Sequence, residues 1–344
     1  MADIMGPIKV KNVDFKNRVV MAPMVVFGLT SENGVMEPKL VDHYLKRAGT
    51  CIGLMISQAL SVSPKEMISG GAGVYSDSHI EYLSKIKEEC HQNGTRFFAQ
   101  LAYPGFSYYD SNSKDINELT KEDLGKIRDE FINGAKICKK AGLDGIEMHG
   151  AHTFFLNMMA SQVSNKREDE YGGDTNGRLF LLKEIVEGIK EFSDDNFIIS
   201  YRMGWNESLG MDIKTAKAIE DVGIEMLHVS SGIPGDRKLD ILEDLHYNEV
   251  VYTGCQIKKH VNIPVIAVND IRTINRGNYL LENDWCDFVA YGRPFLADED
   301  FMTHSSMDPD YDPCLRCKTC KWFENGDKCL KQMKTKKGQN GGII

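Results

Sequence analysis

Four cysteines near the end of the chain, Cys314, Cys317, Cys320 and Cys329, follow a C-x2-C-x2-C-x8-C spacing. Thiolates so spaced can wrap one metal centre, and the short steps match ferredoxin-type ligation. A structural zinc site or free thiols fit the same spacing. His149 and His152 lie three apart, just after the apolar run DGIEM. Such a pair can bind zinc, pack a turn, or aim two N–H donors at one oxygen. Gln100 and Arg202 sit inside or against apolar runs, where a polar side chain needs a partner. For the arginine that partner is anionic. Gly292 lets backbone approach an anion closely, and Arg293 beside it can grip phosphate with two parallel hydrogen bonds. An ordinary turn would carry the same pair.

These residues need a frame. Short apolar runs near 18–22, 52–58, 96–101, 144–148, 197–203, 225–230, 263–268 and 286–291 read as strands. Helical stretches are expected at 77–93, capped by Asp77 or Ser78, and at 121–141, closed by Gly142. Others are expected at 176–192, 212–222, 245–260 and 272–283. Eight βα units in series imply a parallel sheet, and eight is the number that closes a TIM barrel. A doubly wound sheet would carry a Gly-rich turn after its first strand, and no G-x-G-x-x-G occurs. The expected fold is therefore an α/β class (β/α)8 barrel over 1–304. A Cys-rich extension over 305–330 and a flexible tail over 331–344 follow. Met21-Ala22-Pro23-Met24, Ser57-Gln58-Ala59, Gln100, His149 to His152, Arg202, Ser230-Ser231-Gly232, Asn269-Asp270 and Gly292-Arg293 all fall at strand ends. In a barrel those ends converge on one face.

Composition narrows the function. The 344 residues carry 41 basic and 50 acidic side chains, a net charge of −9, which disfavours a nucleic-acid surface. No apolar run is long enough to span a membrane. The first fifteen residues lack a signal-peptide core, so a cytoplasmic protein is expected. In a reducing compartment clustered cysteines suggest metal, and the scattered Cys51, Cys90, Cys138, Cys255 and Cys286 are expected to be buried, inert thiols.

The blocks KNRVVMAPM (16–24), HGAH (149–152), SNKREDEYGG (164–173) with Arg178, and YGRPFLAD (291–298) resemble the Old Yellow Enzyme family. The likeness is greatest to its iron–sulfur branch, which includes 2,4-dienoyl-CoA reductase and the enoate reductases. It spans about residues 5 to 330. The resemblance implies an FMN-bearing barrel. Ala22, Pro23 and Met24 would contact the flavin through their backbone, Ala59 would lie beside the ring, and the Gln100 amide would bond its pyrimidine edge. Arg202 would face the N1–C2=O region, where a fixed guanidinium stabilises the charge that reduction brings. Ser231 and Gly232 would line the ribityl chain, and Asn269, Gly292 and Arg293 would hold the phosphate. His149 and His152 would bind a substrate carbonyl and polarise an enone for hydride from flavin N5.

Departures from the family pattern carry information. Phe154 replaces a tyrosine that donates a proton in many relatives, and a phenyl ring has no proton to give. Tyr103 is the candidate replacement, with water the alternative. Val25 stands where some relatives place Cys or Thr, and Asn269 where Gly is common.

The resemblance further implies a [4Fe–4S] cluster on the four cysteines, although the spacing is shorter than is usual in the branch. Longer relatives continue into FAD- and NAD(P)H-binding domains. The expectation here is a barrel-only form. Its electrons would come from a ferredoxin, flavoprotein or reductase subunit, or from NAD(P)H stacked on the FMN. A basic tail (Lys331, Lys334, Lys336, Lys337) is either solvated or a dock for an acidic carrier. A homo-oligomer fits as well. The leading expectation is an ene-reductase acting on a C=C bond conjugated to a carbonyl. The alternatives are amine oxidation of the trimethylamine dehydrogenase type and an electron-transfer subunit without its own substrate. The first alternative would use rings from Tyr103, Phe106, Tyr108, Tyr109 and Trp205 as a cage. The long aromatic loop 103–118 suggests a flat or bulky apolar substrate.

Overall fold

The structure is a computed structural model that describes residues 3–67, 70–103, 115–234, 239, 246–323 and 328–334. Eight parallel strands form the frame: β1 Val19–Met21, β2 Leu54–Ser61, β3 Arg96–Ala102, β4 Gly145–Gly150, β5 Ile198–Trp205, β6 Met226–Ser231, β7 Val265–Ala267 and β8 Phe288–Tyr291. Each pairs with its neighbours in that order, and β1 pairs with both β8 and β2. The sheet is thus a closed barrel, and the doubly wound alternative falls. A two-residue strand, Ala72–Gly73, adds to the end of β2.

Helices α1 Pro38–Ala48, α2 Ile80–Gln92, α3 Lys121–Lys140, α4 Phe180–Lys190, α5 Leu209–Asp221, α6 Glu249–Lys258 and α7 Ile274–Glu282 cover the outside. All eight strand positions were legible in the sequence, but several boundaries differ. Strand β2 does not end at Ala59. It runs to Ser61, with a register shift between Ile56 and Ala59 against β3. Strand β5 continues past Arg202 to Trp205. Ser76, rather than Asp77 or Ser78, caps the turn that enters α2. The stretch 176–192 divides into Thr175–Arg178 and α4, and α6 opens at Glu249 under an Asn248 cap. Helix α1, with Pro38 in its first turn and Lys46 and Arg47 in its last, was not read from the sequence. Gly142 does close α3, at a φ of 77° that favours glycine.

An antiparallel hairpin, Ile8–Val10 with Val13–Phe15, was also missed. It seals the N-terminal end of the barrel. Its Val10, Val13 and Phe15 pack into an inner cluster with Leu54, Phe98, Ile198, Met226, Ile266 and Phe288. Phe15 meets Phe288 and Phe98 edge-on at 5.2 and 6.3 Å. Removing such a ring costs about 3–5 kcal/mol. The closed end leaves the opposite mouth as the place for a site.

After helix Phe301–Met307 the chain folds back on the barrel wall. Pro309 O accepts from Asn275 N, and Arg272 pairs with Asp312 at 2.7 Å. Trp322 is buried against His43 of α1, ring centroids 5.5 Å apart. Residues 330–334 form a helical turn, and Gln332 Nε2 donates to Leu296 O at 2.8 Å. Residues 331–334 of the expected tail are part of this contact. Residues 335–344, with Lys336 and Lys337, lie outside the described residues.

Candidate active site

Strands alternate their side chains, and that alternation builds the site. Phe98, Ile198 and Met226 point into the barrel floor. Two residues further along the same strands, Gln100, Ser200 and His228 point inward one layer higher. On β4 the inward series is Gly145, Glu147 and His149, paired in register with Ile198, Ser200 and Arg202 of β5. Ser230 follows His228 on β6. On the other side Val20, Ala22, Leu54, Ile56, Ile266, Val268, Phe288 and Ala290 keep the lining apolar. The mouth is thus half polar, over β3 to β6, and half apolar.

The polar half holds two hydrogen-bonded groups. Gln100 Nε2 donates to Glu147 Oε1 at 2.7 Å, and His228 Nδ1 lies 2.7 Å from Glu147 Oε2. Arg202 Nη2 donates to Ser230 Oγ at 3.1 Å, and His152 Nε2 lies 2.9 Å from the same oxygen. His149 Nε2 is 3.4 Å from His152 Nδ1. Burial, with the Arg202 charge nearby, holds both His149 and His152 well below the usual 6.5. Both rings are therefore neutral at pH 7, each with one N–H to give. Burial also pushes Arg202 down to about 10, against the pull of Glu147, so it stays cationic. Its Nε is buried with no hydrogen-bond partner among the described residues. Glu147 and His228 were not expected from the sequence. Stepping back by two from His149 and Ser230 would have found both.

Backbone geometry gathers the other expected residues. A Cβ on Gly292 would lie 3.2 Å from Met24 Sδ and 3.9 Å from Ala22 Cβ, so the ends of β8 and β1 touch. Pro23 and Met24 are half-buried there. Ala59 pairs with Gln100 across β2 and β3. A Cβ on Gly232 would meet Asn206 Oδ1 and the Trp205 carbonyl inside contact distance, so the position demands glycine. Asn269 Nδ2 reaches Ser231 Oγ at 3.3 Å. Asn269 and Asp270 hold φ values of 101° and 52°, conformations usual for glycine. Asp270 lies 2.6 Å from Arg293 Nη2 and 3.5 Å from Arg272 Nε.

Phe154 stacks on His149, ring centroids 4.3 Å apart. Tyr103 packs on Phe155 at 5.5 Å, and its hydroxyl bonds Ser63, whose Oγ donates to Glu130 Oε1 at 2.8 Å. Burial raises the Tyr103 phenol, with Glu130 and Glu66 adding to the rise. Trp205 is buried at the end of β5. Phe106, Tyr108 and Tyr109, which the amine cage and the flat-substrate expectation invoked, lie outside the described residues.

Cys314, Cys317, Cys320 and Cys329 line one cavity together with Arg293 and Trp322. All four are free and partly buried. Among the described residues no three His, Cys, Asp or Glu side chains are grouped closely enough for a single ion. The Trp322 indole N–H is buried without a partner among the described residues. Of the scattered cysteines, Cys90, Cys138, Cys255 and Cys286 are buried as expected, but Cys51 is exposed. No helix among the described residues is long and apolar enough to cross a membrane.

The family described as NADH:flavin oxidoreductase / NADH oxidase matches residues 3–307. The NADPH dehydrogenase of Clostridium acetobutylicum is 33% identical over 325 residues, which cover 86% of this chain and 92% of that one. Among solved structures, 2-naphthoyl-CoA reductase in complex with 2-naphthoyl-CoA superposes with a TM-score of 0.79 at 19% identity. That match covers 89% of this chain but 52% of the reductase, so this chain spans about half its length. An Old Yellow Enzyme homologue from Zymomonas mobilis superposes with a TM-score of 0.75 at 22% identity, covering 93% of this chain and 98% of that one.

Proposed function

The chain belongs to the NADH:flavin oxidoreductase / NADH oxidase family, the Old Yellow Enzymes, and from that premise we propose that it is an FMN-dependent ene-reductase. Its substrate class is a C=C bond conjugated to a carbonyl. The observation that carries the reading is the pair of buried, neutral histidines, His149 and His152, beside a buried Arg202.

The residues fit the cofactor. Arg202 offers a buried guanidinium with an unpartnered Nε, the kind of donor that an electron-rich ring edge satisfies. Gly232 and Gly292 supply backbone where a side chain would clash or crowd, and Arg293 offers a half-exposed grip for phosphate. In this assignment Ala22, Pro23, Met24, Ala59 and Gln100 meet the ring, Ser231 and Gly232 the ribityl chain, and Asn269, Gly292 and Arg293 the phosphate. The chemistry that FMN would supply there is hydride donation to the substrate β-carbon.

The chain's own residues do the rest. His149 and His152 bind the carbonyl oxygen and draw electron density from the conjugated bond. Because both are neutral, they act as hydrogen-bond donors and do not lose the proton. Ser230, which accepts from Arg202, can donate its O–H to His152 Nε2 and so keep the ring proton on Nδ1, free for the carbonyl. Tyr103, tied to Ser63 and through it to half-buried Glu130, is the candidate to protonate the α-carbon, and that chain can resupply its proton. Two neutral N–H donors suit an oxyanion, which counts against a cationic amine substrate.

The four cysteines are proposed to hold a [4Fe–4S] cluster. They share one cavity, and the free Trp322 indole N–H lines it as a donor for sulfur. The name of the Clostridium relative suggests NADPH as the reductant. Reduction through the cluster by a separate protein is the second route.

Replacing both histidines, His149→Ala with His152→Ala, should cost about 10²–10³ in enone turnover while FMN stays bound. Unchanged turnover would remove the histidines from the reaction.

A further inference from the structure

Glu147 is fully buried in the polar half of the barrel. Its two oxygens are each taken, Oε1 by Gln100 Nε2 and Oε2 by His228 Nδ1, both at 2.7 Å. An ionised carboxylate accepts and cannot donate. Gln100 must therefore turn its NH2 group toward Glu147 and present its amide oxygen elsewhere. His228 must carry its proton on Nδ1. Its Nε2 is then a bare acceptor, buried and without a partner among the described residues.

Glu147 also faces a charge. It lies one inward step below His149, which pairs in register with Arg202 on β5. Arg202 makes its described hydrogen bond to a neutral serine, so Glu147 is the anion that answers it inside the barrel. Burial by itself would push the Glu147 carboxyl up. His228, Arg202 and the Gln100 amide outweigh burial and keep it ionised. The same burial pushes His228 down, so the pair is a carboxylate and a neutral imidazole.

We propose that Glu147 is a positioning residue for the cofactor: it fixes which atom of Gln100 faces the flavin edge and offsets part of the Arg202 charge. The proposal rests on the reading that Gln100 and Arg202 meet that edge. The pyrimidine edge of a flavin carries one N–H between two carbonyls. An amide oxygen held toward the site is the complement of that N–H. Neutralising Glu147 frees the amide to flip. It also leaves Arg202 unopposed, so the negative charge that arrives on reduction is better stabilised and the midpoint potential rises.

The test uses purified holoprotein, with FMN affinity and the flavin midpoint potential as readouts. Glu147→Gln is expected to weaken FMN binding about three- to tenfold, the worth of one hydrogen bond, and to shift the potential upward. Glu147→Asp keeps the charge but shortens the reach. It is expected to weaken binding and leave the potential where it was. A merely structural role would weaken binding in both variants and raise the potential in neither, and that result overturns the proposal. So does a potential that rises equally in both. Gln100→Ala separates the two readings. If it leaves FMN affinity unchanged, the placing of Gln100 at the flavin fails. If it weakens binding while Glu147→Gln behaves as wild type, the Glu147 proposal alone fails. Should Glu147→Gln not fold, Glu147→Ala takes its place: a raised potential there, with that of Glu147→Asp unchanged, sustains the proposal, and an unraised potential overturns it.

Discussion

Phe154 lies nearly parallel to His149, with ring centroids 4.3 Å apart and planes 22° from each other. The ring that replaces the family's tyrosine thus steadies the histidine without offering a proton. A stacked aromatic pair is worth about 0.5–1.5 kcal/mol beyond its buried area. Phe154→Ala should accordingly raise the KM for an enone about two- to tenfold, with flavin content unchanged. Steady-state kinetics on flavin-matched samples check this. An unchanged KM would mean that the stack does not position His149.

Arg293 is the candidate phosphate grip, and Asp270 already occupies it at 2.6 Å. A phosphate arriving there must displace the carboxylate and accept its repulsion. Arg293→Ala should weaken FMN binding about tenfold, the low end for a charged hydrogen bond, because the guanidinium is half exposed. Asp270→Asn should tighten FMN binding severalfold at low salt, with the gain fading as salt rises. Fluorescence titration of apoprotein measures both. Weaker binding in Asp270→Asn would show that the carboxylate orients Arg293 instead.

Acid sensitivity follows from the buried histidines. Burial holds His43, His149 and His152 well below the usual 6.5. Beneath pH 6.5 the unfolded chain binds protons there that the folded chain refuses. Stability from these groups is therefore fully present above that value and is lost as pH falls below it. Glu147, held below its usual 4.5, adds a further loss at lower pH. The melting temperature should fall between about pH 7 and pH 5, and less steeply in the His149→Gln, His152→Gln double variant. Equal slopes in the two proteins would contradict buried, neutral rings.

Metal analysis decides the cysteine segment. Anaerobically purified protein should carry about four irons per chain, with acid-labile sulfide. Cys320→Ser should lose most of that iron and keep FMN. One zinc per chain would make the segment structural, and NADPH the direct reductant.

The barrel was legible because each strand is a short apolar run of its own, from RVVMA at β1 to CDFVAY at β8. Their positions at strand ends place His149, His152, Arg202 and the glycines at its mouth. Two kinds of feature stayed hidden. The hairpin that plugs the floor is two three-residue strands, too short for any periodicity to register. Glu147 and His228 sit inside runs that read as continuous apolar strands, and their function depends on which face each presents. Period two, counted from His149 on β4 and Ser230 on β6, was the available signal. Composition alone predicts a buried Cys51, since thiols usually are buried, and its exposure depends on the turn after α1.

The central claim is that this mouth passes hydride to an enone from a bound flavin. The most direct test is to reduce the FMN-loaded protein without oxygen, add a cyclic enone, and follow the flavin absorbance while analysing the products. The account predicts stoichiometric return of the oxidised flavin spectrum and one saturated ketone per flavin, with both slowed strongly in the His149, His152 double variant. A reduced flavin that stays reduced before a panel of enones, enoates and enoyl-thioesters would contradict it.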